Sequence, residues 1–180
     1  DFTNYTTFSL WDTYRALHPL FNIVQPRRNS DMIKSMLAHY DQSVHKALPV
    51  WSHYANENWC MIGYHSVSVI ADAIIKGNTG FDAQKALQAC INSSNLRYYD
   101  GIEHYLHYGY VPEDKNGASV SKTLEYAYDD WCIAQIAKKL DKPNVYSEYM
   151  KRSQSYKNVF DADTGFMRPR LSDGTFKKEF

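Results

Sequence analysis

Three stretches of the sequence place an acidic residue beside a tryptophan, a combination that suits the binding of a sugar. They are Trp11–Asp12, Glu57–Asn58–Trp59 and Asp129–Asp130–Trp131. An indole face packs well against the apolar C–H side of a sugar ring, whereas carboxylates and amides exchange hydrogen bonds with its hydroxyl groups. The repeated layout therefore indicates a carbohydrate-binding site.

A structural explanation accounts for the same residues and stays open. Tryptophan on a buried helix commonly packs in the hydrophobic core. An acidic residue in the first turn of a helix interacts favourably with the helix dipole, which would explain Glu57 without any ligand. The layout occurs on three predicted inner helices, and because of this repetition the sugar-binding and the structural explanations are about equally favoured.

Other candidate sites are weaker. His104 and His107 are spaced for shared metal binding on a short helix, but no third ligand is visible, so solvated histidines are favoured. The "DADTG" stretch opens like a calcium loop, yet Gly165 stands where a third oxygen ligand belongs, and we reject a calcium site there. Arg168 and Arg170 could clamp a carboxylate or a sugar hydroxyl, with a surface role as the default.

Composition excludes several classes of function. The 180 residues suit one domain, and 20 basic residues balance 20 acidic ones, so no basic surface for nucleic acid is expected. No apolar run approaches the roughly 20 residues of a membrane helix. The sequence lacks a starting Met and a signal peptide, so we expect its N-terminus not to be a natural start. Three widely spaced cysteines are predicted to be small buried side chains.

The hydrophobic pattern predicts an all-α fold. The predicted helices span 8–17, 27–44, 58–76, 82–92, 121–140 and 144–159. The first, third and fifth are apolar almost all round, and the others are amphipathic or more polar. Pro19 is expected to help end the first helix.

Alternating buried and amphipathic helices favour stacked helical hairpins. Such hairpins form solenoids or close into an α/α toroid. The long connection at 95–118 is expected to be functional, and "FDADTGFMRPRLSDGTF" is expected to form a short β-hairpin or an ordered loop.

Four long motifs carry a resemblance that covers essentially the whole chain. They are "TTFSLWDTYRALHPL", "LPVWSHYANENWCMIGYH", "YGYVPEDKNGASVSKTLEYAYDDWCIAQIAKKL" and "GFMRPRLSDGTF". In this order they resemble the catalytic domain of glycoside hydrolase family 92. The resemblance implies an (α/α)6 toroid that packs, in the complete enzyme, against an N-terminal β-sandwich. It also implies calcium-dependent removal of terminal α-linked mannose with inversion, most often from α-1,2 bonds in N-glycans or yeast mannan.

The resemblance further implies that residues 1–180 are a fragment, about three of six helical pairs. The family's acid motif "EGN-W", its base motif "DxGQMSAW" and most of its calcium ligands have no counterpart here. We therefore expect no catalytic residue and no metal ligand in this chain, with Ca2+ bound mostly by residues elsewhere in the complete enzyme. Matched to the family motifs, Trp11, Asp12, Glu57, Trp59 and Asp130 are predicted to line the subsite for the terminal mannose.

Two further readings of the sequence remain open. The chain could belong to another α/α-toroid carbohydrate enzyme, such as a glucosidase or a lyase, or to a non-enzymatic helical-repeat interaction module. The preferred reading predicts a mannose-containing glycan as partner, no nucleic acid, no membrane span, and a periplasmic or extracellular location. A half toroid would leave inner helices uncovered, so self-association is also expected.

Overall fold

The structure, a computed structural model, describes residues 1–54 and 56–179 and is dominated by helices. The helices are α1 (Leu10–Thr13), α2 (Leu17–Val24), α3 (Pro26–Gln42), α4 (Ser66–Ile75), α5 (Ala83–Ser93), α6 (Ile102–Tyr108), α7 (Ser119–Lys139) and α8 (Pro143–Arg152), followed by a 3₁₀ helix at Ser153–Val159. Two short antiparallel hairpins pair β1 (Ser52–His53) with β2 (Asn56–Glu57) and β3 (Phe160–Asp161) with β4 (Phe166–Met167). The predicted all-α fold and the C-terminal hairpin are confirmed.

Buried helices alternate with amphipathic ones, as predicted. Most residues of α4 and α7 are buried, and the two helices pack against each other. Helices α3, α5 and α8 bury one face and leave the opposite face in solvent. Burial of the apolar faces of these pairs forms one hydrophobic cluster, the main source of stability in a domain of this size.

Helix α2 lies between the first two ranges that were predicted to be helical, and most of its apolar side chains are exposed. His18 is its buried residue, whereas its apolar residues Leu17, Leu20, Ile23 and Val24 are exposed. The helix contacts α3 and α4 with its other side. An exposed apolar face of this kind is typical of a helix that packs against a further partner.

The short connections between paired helices lie at one end of the bundle. Residue Gln25 alone joins α2 to α3, and residues 76–82 join α4 to α5. Asn78, in the connection between α4 and α5, bonds two residues at the start of α3. Its side chain accepts from the Ser30 hydroxyl at 2.6 Å and donates to the Pro26 carbonyl at 3.2 Å. These contacts fix the two turns side by side.

The long connections meet at the opposite end. The Leu10 amide donates to the Val50 carbonyl at 3.2 Å, and the Glu113 amide donates to the Arg170 carbonyl at 2.9 Å. The Tyr110 hydroxyl donates to the Leu171 carbonyl at 2.8 Å. The Tyr99 hydroxyl, in the loop before α7, donates to the carbonyls of Met61 and Gly63 in the loop before α4, which joins the two pairs. The start of α1, the loop before α4, the loop before α7 and the C-terminal segment therefore share one end, which we call the loop end.

Two predicted helix boundaries are wrong for identifiable reasons. The range 8–17 is not one helix, because α1 ends at Thr13 and α2 begins at Leu17. Pro19 does not end a helix; it lies in the first turn of α2, where its missing N–H costs no intrahelical bond. The range 58–65 is not helical either, since Trp59 and Met61 adopt φ values of 58° and 68°.

Candidate carbohydrate site

Glu57 organises the loop that precedes α4. Its carboxylate accepts backbone N–H groups from Val50 at 2.6 Å, Trp51 at 2.8 Å and Trp59 at 3.0 Å. The β1–β2 hairpin and the residues after it thus wrap around one carboxylate. A carboxylate offers about four acceptor positions, so at least one direction remains for a ligand. Glu57 also lines a cavity of about 390 Å³ between the N-terminal segment and the end of α3.

The Trp11–Asp12 turn is hydrogen-bonded to the same loop. Leu10 donates to the carbonyl of Val50, the residue whose N–H binds Glu57, and Ser9 forms a β-bridge with Trp51. Asp12 is exposed and accepts a hydrogen bond from the Ser9 hydroxyl. The predicted residues Asp12 and Glu57 therefore belong to one hydrogen-bonded unit at the loop end.

The two tryptophans of this unit differ in their surroundings. Trp11 is half-buried and carries the Arg15 guanidinium 4.6 Å above its ring centre. Trp59 is held in a left-handed backbone conformation and packs against Tyr99 with ring centres 4.9 Å apart and edge-on to His45 at 5.2 Å. Trp59 consequently serves partly as a core residue, while both indoles keep some exposed surface.

The structure does not bring Asp130 to this unit. Asp130 is fully buried, and its carboxylate accepts hydrogen bonds from the hydroxyls of Tyr64 and Tyr105, both at 2.9 Å. Arg152 binds it with Nε at 3.1 Å and Nη2 at 3.0 Å. Burial raises the pKa of the Asp130 carboxyl to about 6, and the Arg152 guanidinium opposes that rise. No surface of this carboxylate is open to a sugar, so the geometry does not favour its predicted role.

The structure shows a buried charge cluster near the start of α7 that was not predicted from the sequence. His65 directly precedes α4 and lies between two carboxylates of α7: its Nδ1 is 3.0 Å from Asp129, and its Nε2 forms an ion pair with Glu125. Burial lowers the pKa of His65, but Asp129 and Glu125 more than offset it and raise the pKa to about 9. The spacing of four between Glu125 and Asp129, which places both on one helix face, was the available signal.

Helix α1 docks onto this charge cluster. The Tyr14 ring stacks on the His65 ring with centres 4.0 Å apart and planes 16° apart. Arg15 Nη2 lies 3.9 Å from Glu125, and the Arg15 guanidinium also covers the Tyr14 ring at 4.6 Å. The turn that carries Trp11 is thereby connected to α4 and α7.

The weaker candidates have structural partners. Arg168 pairs with Asp161, and Arg170 donates to the carbonyls of Gly174 at 2.7 Å and Asn158 at 3.0 Å. These bonds shape the C-terminal segment around the β3–β4 hairpin. Throughout residues 1–54 and 56–179, no group of three His, Cys, Asp or Glu side chains could hold a metal ion. The described residues alone therefore do not fit a calcium centre, and we derive no step through one.

The chain is thus a set of helical hairpins with carboxylates and aromatic rings at one end, an arrangement that suits the binding of a sugar. The chain matches the Glycosyl hydrolase family 92 catalytic domain over residues 1–180, and it belongs to this family. The resemblance read from the sequence motifs is thus confirmed.

Solved structures and a curated relative agree with the family. A family GH92 alpha-mannosidase from Bacteroides thetaiotaomicron, solved with mannoimidazole, is 56% identical with a TM-score of 0.97, covering 99% of this chain and 24% of that one. A family GH92 inverting mannosidase from Bacteroides thetaiotaomicron VPI-5482 is 36% identical with a TM-score of 0.92, covering 100% and 25%. An uncharacterized secreted glycosidase from Arthroderma benhamiae is 29% identical over 142 residues, covering 63% of this chain and 18% of its own length. The chain therefore spans about a quarter or less of these relatives.

Proposed function

We propose that this chain forms about half of the toroid, three of six helical pairs, in the catalytic domain of an inverting exo-α-mannosidase. Within it, Trp11, Asp12, Glu57 and Trp59 line the subsite that binds the terminal mannose. The observation that carries the proposal is the hydrogen-bonded unit that joins Asp12 to Glu57 at the loop end. The mannosidases that are similar to this chain support the substrate class.

The carboxylates of the described residues differ in whether they have a free acceptor position for a sugar hydroxyl. Glu125 and Asp129 are engaged by His65, and Asp130 is engaged by Arg152. Asp12 and Glu57 keep acceptor capacity at the loop end, and this favours them as ligands for mannose hydroxyls.

An inverting glycosidase needs two carboxyl groups roughly 6.5–9.5 Å apart, with a water between them. Our assignment of both groups to sequence outside this chain stays a prediction. Glu57 is a carboxylate held rigidly at the proposed subsite, and we assign it to sugar binding and not to that pair.

The finer features of the activity are proposed on the family's pattern. They are a preference for α-1,2-linked mannose in N-glycans or mannan, calcium bound mostly by residues outside this chain, and action in the periplasm or outside the cell. The secreted glycosidase from Arthroderma benhamiae supports export. None of the helices in the described part of the chain is long and apolar enough to cross a membrane.

Substitution of Asp12 by alanine in the full-length protein tests the proposal. We expect kcat/KM on an α-mannoside to fall by about 10² or more. The reason is that a sugar hydroxyl loses a hydrogen bond to a carboxylate, and this hydrogen bond is stronger in the transition state than in the ground state. Circular dichroism and the melting temperature should stay close to wild type, because Asp12 is exposed.

Asp41→Ala is the matched control for this test. Asp41 is also exposed, but it lies at the end of α3 and pairs with Lys85 on the outer surface. Asp41→Ala should retain wild-type activity, because surface ion pairs contribute little to the stability of the fold. Unchanged activity of Asp12→Ala would contradict the proposed subsite. A preference of the protein for glucosides over mannosides would instead identify another α/α-toroid enzyme.

A further inference from the structure

The buried charge cluster around His65 joins the start of α4 to α7 and contacts the turn that follows α1. Resting on the proposed function above, we propose that protonated His65 is a positioning residue for that subsite. It fixes the carboxylate of Glu125, onto which the α1 turn docks. The α1 turn carries Trp11 and Asp12, so their placement depends on the charge of a residue that touches no sugar.

The protonation of His65 follows from what its two nitrogens face. A neutral imidazole has one N–H and one lone pair, so it cannot donate to two carboxylates at the same time. Nδ1 faces Asp129 at 3.0 Å and Nε2 faces Glu125, so with both carboxyl groups ionised both contacts are attractive only when both nitrogens carry protons. Although burial opposes the charge, the two carboxylates raise the pKa of His65 to about 9.

The charges around the ring balance when His65 is protonated. The groups that face it are Tyr14 and Arg15 from the turn after α1, and Glu125, Tyr128 and Asp129 from α7. Two carboxylates then meet one imidazolium and one guanidinium. With a neutral side chain at this position, two carboxylates would share the half-exposed Arg15 guanidinium, and one buried carboxylate would lose its counter-charge.

The ring has little freedom to escape this arrangement. His65 is fully buried, and the Tyr14 ring covers one of its faces. Gly63 lies so close that a Cβ built there would be 2.4 Å from His65 Nε2. A change in the charge of the ring is therefore transmitted to its neighbours, Glu125 and Tyr14, rather than absorbed by a rotation.

The test compares His65→Gln with His18→Gln in the full-length protein. Both remove a buried histidine, but within residues 1–54 and 56–179 the His18 side chain bonds only a neutral amide, Asn29, at 2.8 Å, and burial lowers the pKa of His18. We expect His65→Gln to raise the Kd for mannoimidazole about tenfold, a typical coupling between neighbouring elements. His18→Gln should lower the melting temperature while leaving that Kd unchanged.

The pH dependence separates a charge effect from a packing effect. As pH rises through about 9, native His65 loses its proton, and wild-type affinity should fall. The affinity of His65→Gln should not change with this pKa, so the ratio of the two Kd values should approach one at high pH. A ratio that is the same at pH 7 and at pH 10 would overturn the proposal.

A second variant covers the case in which His65→Gln does not fold. Tyr14→Leu removes the ring stacked on His65 from a half-buried position on the turn after α1, and it should also weaken mannoimidazole binding. Wild-type affinity in either Tyr14→Leu or a folded His65→Gln would refute the positioning role. If Asp12→Ala binds mannoimidazole normally as well, the proposed subsite itself fails; if Asp12→Ala alone is impaired, only the role of His65 fails.

Discussion

Two adjacent acids of α7, Asp129 and Asp130, face different helices. Asp129 points toward α4 and accepts the Tyr64 amide at 2.8 Å, whereas Asp130 points toward α8 and binds Arg152. Neighbouring helix positions do not share a face, so the helix periodicity could have separated them. The sequence could not name the partner of Asp130, because Arg152 lies on another helix. Matching to the family motifs, which grouped Asp130 with the sugar-binding residues, gave no information on this burial.

Removal of the Asp130 carboxylate should destabilise the protein strongly. Asp130→Ala removes the counter-charge of the Arg152 guanidinium and the nearer acceptor of two tyrosine hydroxyls, which keep only longer bonds to backbone carbonyls. We expect the free energy of unfolding to fall by about 3–5 kcal/mol, the usual cost of breaking a buried ion pair from one side. Urea denaturation of the full-length protein measures it. Asp163→Ala, an exposed acid of the β3–β4 turn, should change stability by less than about 0.5 kcal/mol.

Residues 58–65 were predicted to be the first part of a helix that spans 58–76, and this prediction is wrong because α4 begins at Ser66. The apolar residues of this segment continue the pattern of α4, but the backbone groups of the segment are bound elsewhere. The Tyr64 amide donates to the Asp129 side chain, and the Tyr99 hydroxyl donates to the carbonyls of Met61 at 3.2 Å and Gly63 at 3.1 Å. These partners lie 35 or more residues away, so only the tertiary structure shows that they replace the helix.

Long periodic helices were predicted well, since local pattern decides them. Helix α3 was expected at 27–44 and spans Pro26–Gln42, and α5 was expected at 82–92 and spans Ala83–Ser93. Helix α7 likewise lies within two residues of its predicted range. The loops of the site could not be predicted in the same way, because hydrogen bonds to the Glu57 carboxylate, and not hydrophobic periodicity, determine their course.

Two glycines with the same backbone conformation test the close packing of that segment. Gly63 and Gly77 both have φ of +82°, so alanine costs each about 1–2 kcal/mol of backbone strain. At Gly77 a Cβ meets nothing within 4 Å, whereas at Gly63 it would meet the His65 ring. Gly63→Ala should therefore lose a further ~1–3 kcal/mol relative to Gly77→Ala, as measured by denaturant unfolding. Equal losses would contradict the described packing of the ring.

At the scale of the whole molecule, apolar side chains of α2 and α7 are exposed to solvent. Leu20 and Ile23 of α2 are 51% and 72% exposed, and Trp131 of α7 is 44% exposed. Contiguous exposed apolar surface drives association in proteins. This agrees with a chain that covers 24% of the similar mannosidase structure, in which additional residues are present.

The 180-residue chain, produced alone, should self-associate through this surface. Sedimentation velocity at increasing concentration should show oligomers, and the double variant Leu20→Glu, Ile23→Glu should shift them toward monomer. A wild-type chain that stays monomeric at high concentration would contradict the half-toroid proposal. The charged double variant is the appropriate comparison because both positions are exposed and contribute little to the core.

A crystal structure of the full-length protein with mannoimidazole tests the central claim most directly. The proposed subsite predicts that the inhibitor lies at the loop end, with ring hydroxyls within hydrogen-bond distance of Asp12 and Glu57 and an indole face of Trp11 or Trp59 against the sugar. Asp130 should stay buried with Arg152. An inhibitor bound in a pocket that contacts none of Trp11, Asp12, Glu57 and Trp59 would contradict the account.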